Sequence, residues 1–343
     1  MAKPTVPATD RVTAALEPIG LSTLKGSGER TPPASATREP VFDLVTGELL
    51  NSLITSKSAP VTAVPTMLPS WNTACRDEGG GLGLARGWHV IIAGQTGSGK
   101  STFALNQIAA ALRAGERVCF LSLEMSQGQL LTRLLAILTG RNVRPFEHGA
   151  SFNEAAAREA AADRSATLER TGGALYVNRR PLASLDSVVQ AIEAHHERHG
   201  CRVFLTDYVQ LCWARSAASL FEQVQEISHT IRGLAADRGL VSIALSQFNR
   251  ETSTNRTSPP TPHGLMGGSA LENDADQVVL LDHSTFKRTG MTATGMVLLA
   301  KNRHGPQVDI PVRWDYRTLR VREESGATDD SDVAARAGMR EGA

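Results

Sequence analysis

Residues 94–101 read Gly-Gln-Thr-Gly-Ser-Gly-Lys-Ser (GQTGSGKS), between the apolar run HVIIA (89–93) and a segment of helical pattern, TFALNQIAAALRAG (102–115). This fits G-x-x-x-x-G-K-[ST] between a strand and a helix, the pattern of a phosphate-binding loop. Its glycines let the backbone wrap a phosphate closely, with successive N–H groups turned inward toward the oxygens. Lys100 would reach the β- and γ-phosphates, and the Ser101 hydroxyl would ligate Mg²⁺. The helix N-terminus adds partial positive charge. A chance glycine-rich turn is the competing reading. The preceding strand, the following helix and the full lysine–serine ending set it aside.

Outward from the loop, strand and helix alternate from about Pro65 to Glu323. That alternation predicts an α/β domain with a mostly parallel sheet. VCFLSLE is a strand, and Ser126 with Gln129 forms an S-x-x-Q capping box opening the helix QLLTRLLAILTG. ALYVN, RVFLTDYVQL and VSIALSQ are further strands, separated by the helices SLDSVVQAIEAHHERHG and QVQEISHTIRGLAADRG. DQVVLLD, GMVLLAKN, QVDIPVRW and TLRVRE then follow closely enough to form antiparallel hairpins. The sheet is therefore expected to be mixed, with one antiparallel edge at its C-terminal side. Residues 1–40, rich in Pro, Thr, Ser and Ala, are expected to be disordered. Residues 41–61 are a short amphipathic helix and a linker, 62–323 the folded domain, and 324–343 a disordered acidic tail.

A Mg²⁺ site beside the loop needs a carboxylate at another strand tip. Asp207 follows Val203-Phe204-Leu205 with only Thr206 between, and parallel sheets bring strand C-termini to the ligand side. Alone it would be an ordinary strand-end aspartate; with the loop it becomes the Mg²⁺ carboxylate. Glu124 ends VCFLSLE. If that strand neighbours the loop strand, its carboxylate faces the γ-phosphate and can orient or deprotonate the attacking water. It also stands just before the helix begun at Ser126, where a carboxylate is favourable for the helix dipole alone. Spacing does not separate the two readings.

The bulk composition sets limits. With 41% apolar and 21% charged residues the 343-residue chain is ordinary for a soluble globular protein. No apolar run approaches the ~20 residues that span a bilayer. MAKPTVPATDRVTAALEP lacks the apolar core of a secretion signal, so a cytoplasmic location without membrane attachment is the default. A net charge of +1 excludes a coat of basic surface, though not a ring or channel that concentrates a few arginines along a nucleic-acid strand. Cys75, Cys119, Cys201 and Cys212 form no C-x-x-C pair. Three sit in or beside apolar runs, where cysteine behaves as a small hydrophobe.

Together the motifs resemble the motor domain of the replicative DnaB-type helicases, a branch of the RecA-like ATPases. The resemblance spans roughly Thr62 to Val321 in the family's order: GQTGSGKST (94–102), SLEMS (122–126), TDYVQL (206–211), EISHTIRGLA (226–235), ALSQFNR (244–250), SALENDAD (269–276) and AKNRHGP (300–306). It implies a RecA-like P-loop NTPase core that binds ATP and Mg²⁺ through Gly94, Gln95, Thr96, Gly97, Ser98, Gly99, Lys100, Ser101, Thr102 and Asp207. It makes Glu124 the catalytic glutamate. By the same comparison Gln247 senses the γ-phosphate, an amide being able to bond to phosphate oxygen without titrating. Lys301 and Arg303 match the family's basic pair, which enters the neighbouring subunit's ATP site. On an isolated strand they would read as a solvated face.

The resemblance further implies a homo-oligomeric ring, a hexamer in the family. Such a ring moves 5′ to 3′ on single-stranded DNA and unwinds duplex during replication, with a primase or loader among its partners. The helix at 41–54 resembles the family's linker helix, which packs on an adjacent subunit; folding back on its own domain is the alternative. Two departures stand out. Residues 1–40 offer no counterpart to the family's helical N-terminal domain, and Met266 stands where many relatives place an arginine. Met266 lies in the segment 250–270, expected to face DNA. Phosphate contacts would then fall to Arg250, Arg256 or the backbone N–H groups of Gly267, Gly268 and Ser269. These departures keep a second reading open, a RecA-like DNA-dependent ATPase acting in recombination, loading or regulation without unwinding.

Two clusters invite other chemistry. His195, His196 and His199 share a helix's last turn, where capping or surface roles outweigh metal binding. Glu272, Asp274 and Asp276 could hold a cation, but the resemblance makes them a structural junction beside the DNA loop.

Overall fold

The computed structural model describes residues 63–75, 82–122, 125–142, 159, 162, 168–178, 184–207, 219–249, 252, 258–267 and 269–324. All of them belong to one compact unit, Ser52–Ala343. The expectations for residues 1–61 and for the tail beyond Glu324 lie outside the described residues. Glu324 itself, expected to open the tail, is tied to the domain. Its N–H donates to the Pro311 carbonyl and its carboxylate meets Arg313 at 2.9 Å.

Among the described residues nine strands form one sheet: β1 (His89–Gly94), β2 (Arg117–Ser122), β3 (Ala174–Val177), β4 (Val203–Asp207), β5 (Val241–Gln247), β6 (Gln277–Thr289), β7 (Thr292–Asn302), β8 (Val308–Asp315) and β9 (Arg320–Glu323). Their order is β3-β2-β4-β5-β1-β6-β7-β8-β9. The six strands from β3 to β6 are parallel, and β7, β8 and β9 add to β6 in antiparallel fashion. The mixed sheet with its antiparallel C-terminal edge is as expected, except that β6 runs on past Asp282 to Thr289, through an irregular register, to close a long hairpin with β7.

Parallel strands bury both faces, so they read as continuous apolar runs. Along β1, Val90 and Ile92 enter one core and Ile91 and Ala93 the other. The first core is covered by α1 (Pro69–Ala74), α2 (Lys100–Arg113) and α3 (Gln127–Thr139), through Trp71, Phe103, Ile108, Leu130 and Leu134. The second is covered by α4 (Leu185–His199) and α5 (Leu220–Arg238), through Val188, Ile192, Val224 and Ile227. A short helix α6 (Ser269–Asp274) leads into β6. The Ser126–Gln129 capping box opens α3, and a second box, Ser219 with Glu222, opens α5. Packing from both sides leaves only the strand ends free for chemistry. The C-terminal ends of β1, β2, β4 and β5 share one edge.

Candidate active site

At that edge β1 ends on Gly94 and α2 begins at Lys100. Between them Gly97 and Gly99 hold φ of +78° and +84°, backbone conformations costly for any residue with a Cβ. Gly99 has a second reason: a Cβ there would lie 3.1 Å from the Trp314 ring. A Cβ on Gly94 would meet the Ser98 hydroxyl at 2.5 Å. The Lys100 ammonium is almost fully buried and folds back over the loop, donating to the carbonyls of Gly94 (2.9 Å) and Gln95 (2.8 Å). Neutral carbonyls are weaker acceptors for a cation than phosphate oxygens. The Ser98 hydroxyl is buried with no hydrogen-bond partner among the described residues. A caged ammonium, an orphan hydroxyl and left-handed glycines at a helix N-terminus fit a polyphosphate. Ser101 and Thr102 stand half-exposed in the first turn of α2, while Gln95 and Thr96 complete the loop's outer side.

Two predicted site residues join this edge. Gln247, the last residue of β5, is the register partner of Gly94. Asp207, the last residue of β4 and 1% exposed, lies one strand further. Two interstrand steps make about 10 Å, room for a metal ion and its water rather than direct contact with the loop.

The premise for Glu124 needs correction. Its strand does not neighbour the loop strand, because β4 and β5 stand between β2 and β1. Three steps amount to about 14 Å. β2 is flanked instead by β3 and by the strand of Asp207, which pairs with Ser122. Leu123 and Glu124 themselves lie outside the described residues.

Lys301 and Arg303 sit at the other end of the sheet. Lys301 pairs with Val278, near the start of β6. The Arg303 N–H donates to the Asp276 carbonyl (2.9 Å), and the Asp276 N–H to that of His89, the first residue of β1 (2.8 Å). Their side chains grip the C-terminal end of α6. The Lys301 ammonium donates to the carbonyls of Glu272 and Asn273, and the Arg303 guanidinium to the Asn273 carbonyl (3.0 Å) and the Asp276 carboxylate (3.3 Å). Burial, and then the neighbouring Arg303, hold the Lys301 pKa below its ordinary value. The other Asp276 oxygen accepts the His89 N–H at 2.8 Å.

Beyond Gln247 the chain pairs with the segment leading into α6. The Gln247 carbonyl accepts the Met266 N–H (2.8 Å), Phe248 bridges Leu265, and the Asn249 N–H donates to the Gly264 carbonyl (2.9 Å). Gly267 has φ +112°, and a Cβ there would lie 2.4 Å from Val224 on α5, so close packing explains this glycine without any DNA contact. Ser269 is exposed at the start of α6. Arg250, Arg256 and Gly268 lie outside the described residues.

A family model described as the DnaB-like helicase C terminal domain matches residues 80–323. This chain belongs to that family. Among its curated relatives, a probable plasmid replicative DNA helicase of Chlamydia muridarum is 28% identical over 244 residues, covering 69% of this chain and 51% of that protein. The replicative DNA helicase DnaB of Leifsonia xyli subsp. xyli is 28% identical over 263 residues, covering 75% and 55%. The chain thus spans about half the length of the curated relatives it matches. Among solved structures, the ATPase domain of G40P superposes with a TM-score of 0.67 at 22% identity, over 82% of this chain and all of that one. A DnaB-like replicative helicase, solved in a study of its interactions with primase, gives 0.66 at 20% identity, over 82% and 68%. These two likenesses concern the RecA-like fold.

Within this DnaB-type domain, two contributors escaped the sequence. Trp314, at the end of β8, backs Gly99 and packs against Phe103 and Phe286. Asn178, after β3, is bonded to the end of β2. Neither carries a local motif. The three α4 histidines have ordinary partners: His195 Nδ1 meets the Ala191 carbonyl, His196 Nδ1 that of Cys201, and His199 stacks on Tyr176. Cys75, Cys119 and Cys201 are buried thiols, pushed up by burial to about 11, 12 and 11. Thiols so shifted are inert near neutral pH. Cys212 lies outside the described residues.

Proposed function

We propose that this chain is an ATP-driven translocase of single-stranded DNA that unwinds duplex DNA during replication, working as a ring, a hexamer by family resemblance. On the same ground its direction is 5′ to 3′, and a primase or loader is among its partners. The observation that supports this reading best is the division of the sheet. The phosphate loop, Gln247 and Asp207 share one end, and Lys301 and Arg303 stand at the other. A site whose basic pair lies across the sheet is completed by another copy of the chain.

In this reading the loop N–H groups from Gln95 to Thr102 and the Lys100 ammonium hold the ATP phosphates. The Ser101 hydroxyl and the Asp207 carboxylate, through water, would hold Mg²⁺, which would neutralise charge on the phosphates. Glu124 accepts the proton of the attacking water. The Gln247 amide bonds to the γ-phosphate and carries its presence through Met266 to the DNA-facing segment. The neighbouring copy's counterparts of Lys301 and Arg303 stabilise charge on the transferred group. Single-stranded DNA is held by Arg250, Arg256 and backbone N–H groups near Gly268 and Ser269. Gly267 contributes compactness. No helix among the described residues is long and apolar enough to cross a membrane.

Met266 keeps a second reading in view, an ATPase that assembles on DNA without unwinding it. A forked duplex separates the two. Strand separation with ATP, by a nucleotide-bound assembly weighing several protomers, is the expected result. DNA-stimulated hydrolysis with no separation would favour the second reading, and full activity from a protomer of single mass would defeat the ring.

A further inference from the structure

Asn302, the last residue of β7, precedes the turn that carries Arg303. Its side-chain amide closes that turn from inside. Nδ2 donates to the Pro306 carbonyl at 2.9 Å, and Oδ1 accepts the His304 N–H at 3.3 Å. The same Nδ2 donates to the Ala74 carbonyl at the end of α1, also at 2.9 Å. Gly305 lies against that carbonyl too, and a Cβ on it would collide with the Ala74 oxygen. The His304 ring stacks on Trp88 with centroids 4.5 Å apart. The turn from Arg303 to Pro306 is thus held at both ends and in the middle.

A second amide stands behind the first. Gln277 opens β6, is fully buried and is the register partner of Asn302. Its Nε2 donates to Asn302 Oδ1 and to Cys75 Sγ, both at 3.1 Å, and its Oε1 accepts the Trp71 indole N–H at 2.9 Å. Asn302 thereby uses both donors and both acceptor positions of its amide. Burying an amide such as Gln277 has a desolvation cost that an apolar side chain would avoid while packing α1 equally well. What the two amides add is direction: a fully bonded polar network holds one arrangement of the groups it joins. A backbone pinned at Arg303 leaves only the side chain to swing between Asp276, where it rests here, and a neighbouring molecule.

We propose that Asn302 and Gln277 are positioning residues that fix where the Arg303 turn presents its guanidinium to another copy's ATP. This rests on the reading that each ATP site takes its arginine from a neighbouring copy. If the two amides only fasten α1, their loss lowers stability and harms a copy equally, whether it supplies the phosphate loop or the arginine.

The test uses the full chain. Lys100→Ala and Arg303→Ala are mixed in equal amounts, allowed to exchange protomers, and assayed for ATP turnover with saturating single-stranded DNA. Only interfaces that join the loop of one to the arginine of the other are intact. Asn302→Ala is then added to one member of the pair at a time, and Gln277→Met, which nearly keeps the side-chain volume, is treated in the same way. Added to Lys100→Ala, the copy that supplies the arginine, Asn302→Ala should lower the regained kcat about 10-fold and Gln277→Met about threefold, with KM within about twofold. Added to Arg303→Ala, which has no guanidinium left to place, either should leave the regained kcat within about twofold. Melting temperature should fall equally in both placements. Should Asn302→Ala not fold, the one-sided loss in Gln277→Met decides by itself. Losses of equal size in the two placements overturn the proposal. A starting pair that stays silent defeats the shared-site reading, and this proposal with it; a pair that turns over yet ignores both variants defeats this proposal alone.

Discussion

Arg303 and Gly94 stand at opposite ends of the sheet. Arg303 is linked through Asp276 to His89, the first residue of β1, and Gly94 is the last. Five residue-to-residue steps of strand separate the two ends by about 17 Å, well beyond the reach of one side chain. Arg303 therefore acts either on another copy's nucleotide or only as a fastener for α6. The first role makes Arg303→Ala bind ATP with near-normal affinity and hydrolyse it about 1,000-fold more slowly. Equilibrium binding of a fluorescent nucleotide beside steady-state turnover measures both. A fastener would leave turnover close to normal and lower the melting temperature instead.

Gln247 is flanked by Gly94 on one side, and its own carbonyl holds Met266. In the proposed function, that double attachment would let a change at the phosphate move the segment before α6. In Gln247→Ala, DNA-free hydrolysis should fall only a few-fold, whereas stimulation by single-stranded DNA should fall about 10-fold or more. Equal losses with and without DNA would make Gln247 part of the chemistry rather than of the coupling.

His89 is fully buried between Ser242 and Asp276. Burial lowers its pKa to about 4, against the pull of the Asp276 and Asp274 carboxylates. The folded state keeps the ring neutral while the unfolded chain protonates it below about 6.5, so stability falls as pH drops from 6.5 toward 4. Between pH 7 and 5 this group alone should cost about 2 kcal/mol. Urea unfolding should show a correspondingly shallower pH dependence in His89→Gln.

Gly267 and Gly97 both have positive φ, but only one is crowded. A Cβ on Gly267 meets Val224 at 2.4 Å, whereas one on Gly97 meets nothing within 4 Å. Gly267→Ala should therefore destabilise by about 3 kcal/mol, backbone and steric costs together, and Gly97→Ala by about 1 kcal/mol. Urea midpoints order the two, and equal effects would mean that α5 yields easily.

The legible parts of this molecule were local. The strand–loop–helix around Lys100, the capping box at Ser126 and the closely spaced C-terminal hairpins each announce themselves within about ten residues, because propensity and turn chemistry act over that range. Strand order did not. VCFLSLE looks the same whether it lies beside β1 or three steps away, and only the crossovers that insert β4 and β5 decide. The amide bonds of Asn178, the wall formed by Trp314 and the burial of His89 against Asp276 join residues far apart in the chain. The crowding at Gly267 likewise comes from Val224 on another helix, where the sequence offered only a glycine that could approach DNA.

In the proposed ring each nucleotide site is built from two copies. Lys100→Ala lacks the loop's cation and Arg303→Ala the basic group across the sheet, so each alone should be nearly inactive. Mixed in equal amounts and allowed to reassemble, they should regain about a quarter of wild-type ATP turnover, since one interface in four then pairs an intact loop with an intact arginine. A mixture as silent as either variant alone, in assemblies shown to exchange protomers, would contradict the account.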